Sequence, residues 1–262
     1  RRTETNIRYY EQDDLKYMMN IAILNANGIK ISRIAQMDRD EVQRKTLSIS
    51  ENNSGQQSQI STLTTAMFDF DEKEFNKTLS INILQLGMEQ TTTQIIFPFL
   101  QHVGILWLGG SIHIAHEHFI TNLIKQRMFV AIDQVNVVPN SDAKKYLLFL
   151  PNGENHELSL LFASYLLRAN GQHVIYLGTS TPLDDLNKIH KIHNPDFVFC
   201  ALTNSNAAMP VQVYLNTLSR SWPNTQIIVT GSQVVKRRDL KIPENCKVMS
   251  DPSGFLDFIV NN

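Results

Sequence analysis

The chain has 262 residues, 42% hydrophobic and 19% charged, with a net charge of -1; this suits two or three ordinary globular domains and carries no overall bias toward nucleic acid or membrane. Any DNA contact must then come from a local patch. Two cysteines, Cys200 and Cys246, without C-x-x-C spacing, and the lack of a signal peptide or long apolar run argue against a disulfide framework, a thiolate zinc site and a membrane span, and make a reducing cytoplasm the expected compartment.

In chain order, residues 1 to 10 carry Arg1, Arg2 and Arg8 and then a short β-prone run, and Asp13-Asp14 opens a capped amphipathic helix through Leu24 that Asn27-Gly28 ends. A second short helix is expected with Ser32 as its N-cap, running through Ile34 and Met37 to Val42. Over residues 1 to 48 nine basic residues stand against seven acidic ones, a surplus of two, so charge alone favours a solvated surface over a nucleic-acid contact. Glu51 to Ser58 is polar, aperiodic and contains Gly, and reads as a linker.

From Ile60 to about Val137 only helices are expected: Ser61 to Phe68, Glu72 to Leu86, Thr91 to Leu106 and Ile112 to Val135, broken at Asp69/Asp71, Gly87 and Gly109-Gly110. Short connections make this a four-helix antiparallel bundle, with Pro98 kinking the third helix. A polar connector, Asn136 to Lys144, precedes alternating strands and helices: Tyr146 to Leu150, a helix from His156 to Ala169, His173 to Leu177, Pro182 to His190, Phe197 to Leu202, Met209 to Ser219, Gln226 to Thr230, a short helix near Val234, Cys246 to Met249 and Gly254 to Val260. Such alternation means a parallel sheet covered on both faces, and five strands suit the flavodoxin-like order. The fold class expected is therefore multidomain α and α/β: an N-terminal segment over 1 to 48, a four-helix bundle over 59 to 137 and a five-stranded flavodoxin-like (Rossmann-like) domain over 143 to 262.

Leu150-Pro151-Asn152-Gly153-Glu154-Asn155-His156 turns from the first strand toward a helix. In such folds ligands bind at the carboxyl ends of the strands, so a Glu and a His two positions apart stand where a ligand is met. By itself the imidazole equally caps the helix or faces water. Elsewhere no Ser/His/Asp nucleophile set, phosphate-binding Gly loop or paired catalytic carboxylate is present, and the chain is read as a non-enzyme.

Three groups of residues carry a resemblance. Arg2, Asn6, Arg8, Tyr9 and Tyr10, then Asp14-Leu15, Gly28-Ile29-x-Ile31 and Ile34-Ala35-x-Met37, resemble the second half of the MerR-type winged-helix domain. Helices followed by a flavodoxin-like domain whose first loop offers Glu154-x-His156 resemble the cobalamin-binding module of methionine synthase and the corrinoid methyl carriers. Trp107, with Glu117-His118 ten positions on, is similar to the mark of MerR-type B12-dependent regulators, and the likeness to that family covers essentially the whole chain.

The resemblance implies a cobalamin, with adenosylcobalamin as its form, bound between bundle and α/β domain. His156 becomes the lower ligand of cobalt, and Glu154 stands where the family has Asp, fixing the imidazole tautomer. Ser159 takes the place of the loop's Gly. In the family Ser-x-Leu after the third strand and Gly-Gly after the fourth line the nucleotide tail; here Ala201, Thr203, Gly231 and Ser232 stand there, with Thr203 or Ser205 as the hydroxyl lost at Ala201. Trp107, Glu117 and His118 would meet the upper ligand. His113 shares the face of Glu117 whereas His116 is turned from it, and both read as surface imidazoles. Light-sensing members carry a His directly after the Trp, where this chain has Leu108. At the N-terminus Arg2, Arg8 and Tyr9 become DNA contacts of the wing; the recognition helix is expected upstream of Arg1, so no residue here is assigned to base readout. The implied function is a cytoplasmic regulator whose cofactor state controls self-association, as dimer or tetramer, and operator binding. Two rivals stand beside it: a corrinoid methyl-carrier subunit of a methyltransferase, and a regulator that has lost cobalamin and holds another tetrapyrrole.

Overall fold

A computed structural model describes residues 14, 17, 18, 20, 21, 24, 25, 28–42, 44, 45, 56–108, 111–139, 141–204 and 209–261. Arg2, Arg8 and Tyr9, expected to form part of a wing, and Ser205 lie outside them. The chain divides into two compact units, residues 1–124 and 125–262.

In the first unit Leu24, Ile34 and Val42 form a small core with Tyr17, Ile21, Ile29 and Met37 against it. Gly28, at φ 86°, ends the preceding helical residues, and the N–H of Ile29 reaches back to the carbonyl of Leu24 at 3.0 Å. The next helix differs from expectation. α1 spans only Ile31–Ile34 with Lys30, not Ser32, at its N-cap. The chain then turns and starts helix afresh at Asp38, whose carboxylate accepts the N–H of Glu41 at 2.6 Å. An Asp that caps from within the run splits what apolar spacing presents as one helix.

The helical block consists of α2 (Gln56–Asp69), α3 (Glu72–Thr91), a π-turn (Thr92–Ile96), α4 (Phe97–Leu108) and α5 (Ile114–Asp133). α2 begins inside the stretch read as linker, whose last three residues are helical. Asp71 caps α3 by accepting the N–H of Glu74 at 2.9 Å, and Gly87, at φ 78° and ψ 168°, kinks it where a break was expected. The effect of Pro98 falls one turn early. Lacking an N–H, and with its ring against the carbonyl of Gln94, Pro98 cannot follow an α-turn, and the chain widens so that Phe97 donates to the carbonyl of Thr92. Leu63, Met67, Phe75, Leu79, Ile95, Ile96, Phe99, Ile120 and Ile124 are fully buried.

The α/β unit contains β1 (Lys145–Pro151), α6 (Leu158–Ala169), β2 (His173–Thr181), α7 (Leu183–His193), β3 (Phe197–Ala201), α8 (Val211–Ser221), β4 (Gln226–Thr230), α9 (Ser232–Val235), β5 (Cys246–Val248) and α10 (Pro252–Val260). All pairings are parallel, in the flavodoxin-like order β2-β1-β3-β4-β5. Leu147, Phe149, Val198, Cys200, Ile227 and Val229 join Leu215, Leu218 and Trp222 in one core. Tyr146 stacks on Phe197 instead, and Phe255 and Phe258 of α10 cover Phe199 and Phe197. Both faces are therefore dry, which is why these strands read as unbroken apolar runs. β2 is four residues longer than expected. It carries two register irregularities against β1, pairing Leu148 with Tyr176, Phe149 with Gly178 and Pro151 with Thr181. Among the described residues no helix is long and apolar enough to cross a membrane.

Candidate functional site

β1 ends at the carboxyl edge of the sheet and its chain turns through Gly153, at φ 80°, before α6 begins at Leu158. His156, expected as the first residue of this helix, thus lies in the loop. The N-cap is Glu157, which makes no side-chain cap bond, so capping does not explain His156.

Glu154 is 4% exposed and organises the loop. Its Oε1 lies 2.6 Å from His156 Nδ1 and accepts the N–H groups of Asn155 at 2.9 Å and His156 at 3.0 Å. Its Oε2 accepts the N–H groups of Thr203 at 2.8 Å and Asn204 at 2.6 Å, both just past β3. Burial alone would raise the carboxyl, but the bonds from His156, Asn204 and Thr203 outweigh it and hold it at about 2. A carboxylate only accepts, so Nδ1 of the neutral imidazole carries the hydrogen and Nε2 is the nitrogen with a lone pair to give. The His156 side chain is 55% exposed. Among the described residues no group of three or more His, Cys, Asp or Glu is arranged to hold a metal. One accessible imidazole backed by a buried anion fits a metal that brings its other donors with it, as cobalt does in a corrin.

The other expected cofactor residues fall as follows. Ser159 is in the first turn of α6 and half-buried. Thr203 serves through its backbone, with its carbonyl accepting from Ser232 Oγ at 3.2 Å. Gly231, at φ 101°, lies so close to the chain after β3 that a Cβ would meet the Leu202 carbonyl oxygen at 2.4 Å. The structure thus brings Glu154, His156, Thr203, Gly231 and Ser232 to the carboxyl edge of one sheet. Asn204 was missed; besides its N–H, its Nδ2 donates to the carbonyl of Gly153 at 3.2 Å.

In the helical block Trp107 is in the last turn of α4 and 46% exposed, while Glu117 ends the first turn of α5 and the exposed His118 follows it. His113 is exposed as expected, but His116 is not a surface imidazole. It is buried, stacked on Phe70 with centroids 4.7 Å apart, and its Nδ1 accepts the N–H of His113 at 3.1 Å. Because α5 starts at Ile114, His116 folds over the helix entry and caps it.

A second cluster flanks the loop. Glu157 accepts from Tyr176 Oη at 2.8 Å and pairs with Lys125 Nζ at 2.9 Å. Burial first, and the Glu157 carboxylate second, push the Tyr176 phenol far above its ordinary range.

Residues 59–131 match the family model described as B12 binding domain. Over 242 residues the chain is 23% identical to the HTH-type transcriptional repressor CarH of Myxococcus xanthus, covering 90% of this chain and 80% of that protein. It is 22% identical over 227 residues to the repressor CarA of the same organism, covering 86% and 74%. The solved monomethylamine corrinoid protein of Methanosarcina barkeri shares the fold, with a TM-score of 0.64 at 11% identity over 79% of this chain and 99% of that one. The chain is CarH-like: its residues 59–131 match the B12 binding domain model, and it aligns with the CarH and CarA repressors over most of its length.

Proposed function

We propose that this chain is a cobalamin-dependent transcriptional regulator, not an enzyme, and that His156 is the lower ligand to cobalt. The observation that carries the reading is the accessible imidazole of His156 with its Nδ1 held by a buried carboxylate, at the edge of the sheet where ligands of such folds bind. The B12 binding domain match and the similarity to two repressors support it. When bound, adenosylcobalamin would supply a breakable cobalt–carbon bond. Glu154 keeps the His156 donor in one tautomer, and Ser159, Thr203, Gly231 and Ser232 contact the nucleotide tail. Trp107, Glu117 and His118 are proposed as contacts to the upper ligand. Arg2, Arg8 and Tyr9 are proposed to touch DNA phosphates, with residues 1–48 as part of a winged helix, 59–137 as the cobalamin cap and 143–262 as the cobalamin-binding domain. A change of cofactor state would bias self-association and thereby operator binding. With Leu108 after Trp107, a light response would have to use a different imidazole.

The test is an absorption spectrum of the chain mixed with adenosylcobalamin in the dark, desalted and then illuminated, with His156→Ala in parallel. Cobalamin retained by the wild type and lost or altered in spectrum in the variant supports the ligand; no retained cobalamin sinks the reading. DNA binding that does not change with cofactor would refute cofactor control, and methylcobalamin binding with methyl transfer to a partner protein would move the assignment to a methyl carrier.

A further inference from the structure

The loop bearing His156 is held not only by Glu154 but by the end of the neighbouring strand. β2 carries two more residues than β1 between the pairs Leu148–Tyr176 and Pro151–Thr181, with Gly178 at φ 78° and Ser180 at φ 53° inside that stretch. Glycine takes such angles freely, but serine does not, and irregular strand ends of this kind re-aim side chains beside functional sites. Here the bend aims Ser180 at the loop. Its Oγ donates to Asn152 Oδ1 at 3.0 Å and accepts the N–H of Gly153 at 3.1 Å, and its own N–H donates to the carbonyl of Glu154 at 3.2 Å. One residue in a left-handed conformation therefore grips three consecutive loop residues, the last being the carboxylate that holds His156. Two residues before Gly178, Tyr176 bonds Glu157, the residue that follows His156 in the chain.

We infer that Ser180 is a positioning residue for His156: the irregular end of β2 presets the loop so that the Glu154–His156 pair exists before any ligand arrives. The inference rests on the proposed role of His156, but half of its test needs no cofactor. At pH 8, nitrogen NMR of the full chain, with His156 assigned through His156→Ala, should show a single Nδ1–H tautomer in the wild type. Ser180→Ala should mix the two tautomers and speed amide exchange at Gly153 about tenfold. With hydroxocobalamin, Ser180→Ala should release the cofactor about tenfold faster, as is usual when the partner of a metal-bound imidazole is loosened. Ser180→Gly removes the hydroxyl while relieving the backbone, so it serves as the variant that folds if Ser180→Ala does not, and it should behave alike. Ser180→Asn, which tolerates the left-handed region and offers an acceptor to Gly153, should recover part of the loss. A wild-type tautomer and exchange rate in both Ser180→Ala and Ser180→Gly would overturn the inference. A wild type that shows the single tautomer yet retains no cobalamin would overturn the ligand role while the effect of Ser180 stands.

Discussion

Replacing Glu154 by Gln changes one atom of the loop and removes the charge that four backbone N–H groups and an imidazole converge on. In the folded chain the carboxyl titrates at about 2 against an ordinary value of 4.5. Because the side chain is almost fully buried, that gap converts with little discount to about 3 kcal/mol of stability. The folded value is the lower one. The contribution is therefore complete above pH 4.5 and is lost as pH falls toward 2; by pH 3 about 2 kcal/mol of it is gone. An amide also cannot replace the carboxylate in either orientation, since its NH2 faces either Thr203 and Asn204 or Asn155 and His156, all donors. The assay is urea unfolding of the full chain in a Trp107→Phe background, where Trp222, in the core of the α/β unit, is the remaining tryptophan. Transition midpoints are compared rather than amplitudes, because His190 stacks on Trp222 at 4.8 Å and its protonation quenches the indole. At pH 7 Glu154→Gln should be less stable by at least about 3 kcal/mol, and at pH 3 that gap should be smaller by about 2 kcal/mol. Equal stability at pH 7, or a gap that persists unchanged at pH 3, would refute the picture of a buried anion held by backbone donors.

Gly231→Ala should destabilise the α/β unit by about 3 kcal/mol or more in the same assay, because the new Cβ would strike the Leu202 backbone at a φ of 101°. Leu148→Ala, in the middle of the fully buried β1, should cost about 3–4 kcal/mol. Both thiols are buried and pushed up by burial, Cys246 to about 11, so a disulfide reagent at pH 8 should label neither in the native chain and both in urea. Tyr176→Phe leaves Glu157 with Lys125 but without its hydroxyl donor, and should lower the stability of the α/β unit by about 1 kcal/mol.

The sheet was legible because each inner strand is buried on both faces. Tyr146 to Leu150 and Gln226 to Thr230 stand out as apolar runs, and the loops between them carry the turn residues. Glu154 and His156 were legible for the same reason, since a strand end that turns through Pro and Gly marks the ligand edge. What escaped was held by backbone. The N–H groups of Thr203 and Asn204 grip Glu154, and any residue but Pro supplies an N–H, so side-chain identity gives no hint of it. Gly178-Thr179-Ser180 reads as loop, and only the pairing with β1 reveals it as irregular strand. His116 was misplaced because spacing fixes the face of a helix only once its first residue is known.

The wide turn at Thr92–Ile96 bears on how the helical block tolerates change in length. A π-turn holds one residue more than an α-turn, so it works as an inserted position already absorbed into the helix. Removing one residue there, the half-buried Thr93 for instance, together with Pro98→Ala to restore the missing N–H, would close the turn to ordinary α geometry and keep Phe99 and Val103 in phase with the core. The same deletion anywhere in α4 would rotate everything beyond it by about 100° and swing Trp107 to another side of the helix. The length of this block is thus adjustable at one place, ahead of Trp107.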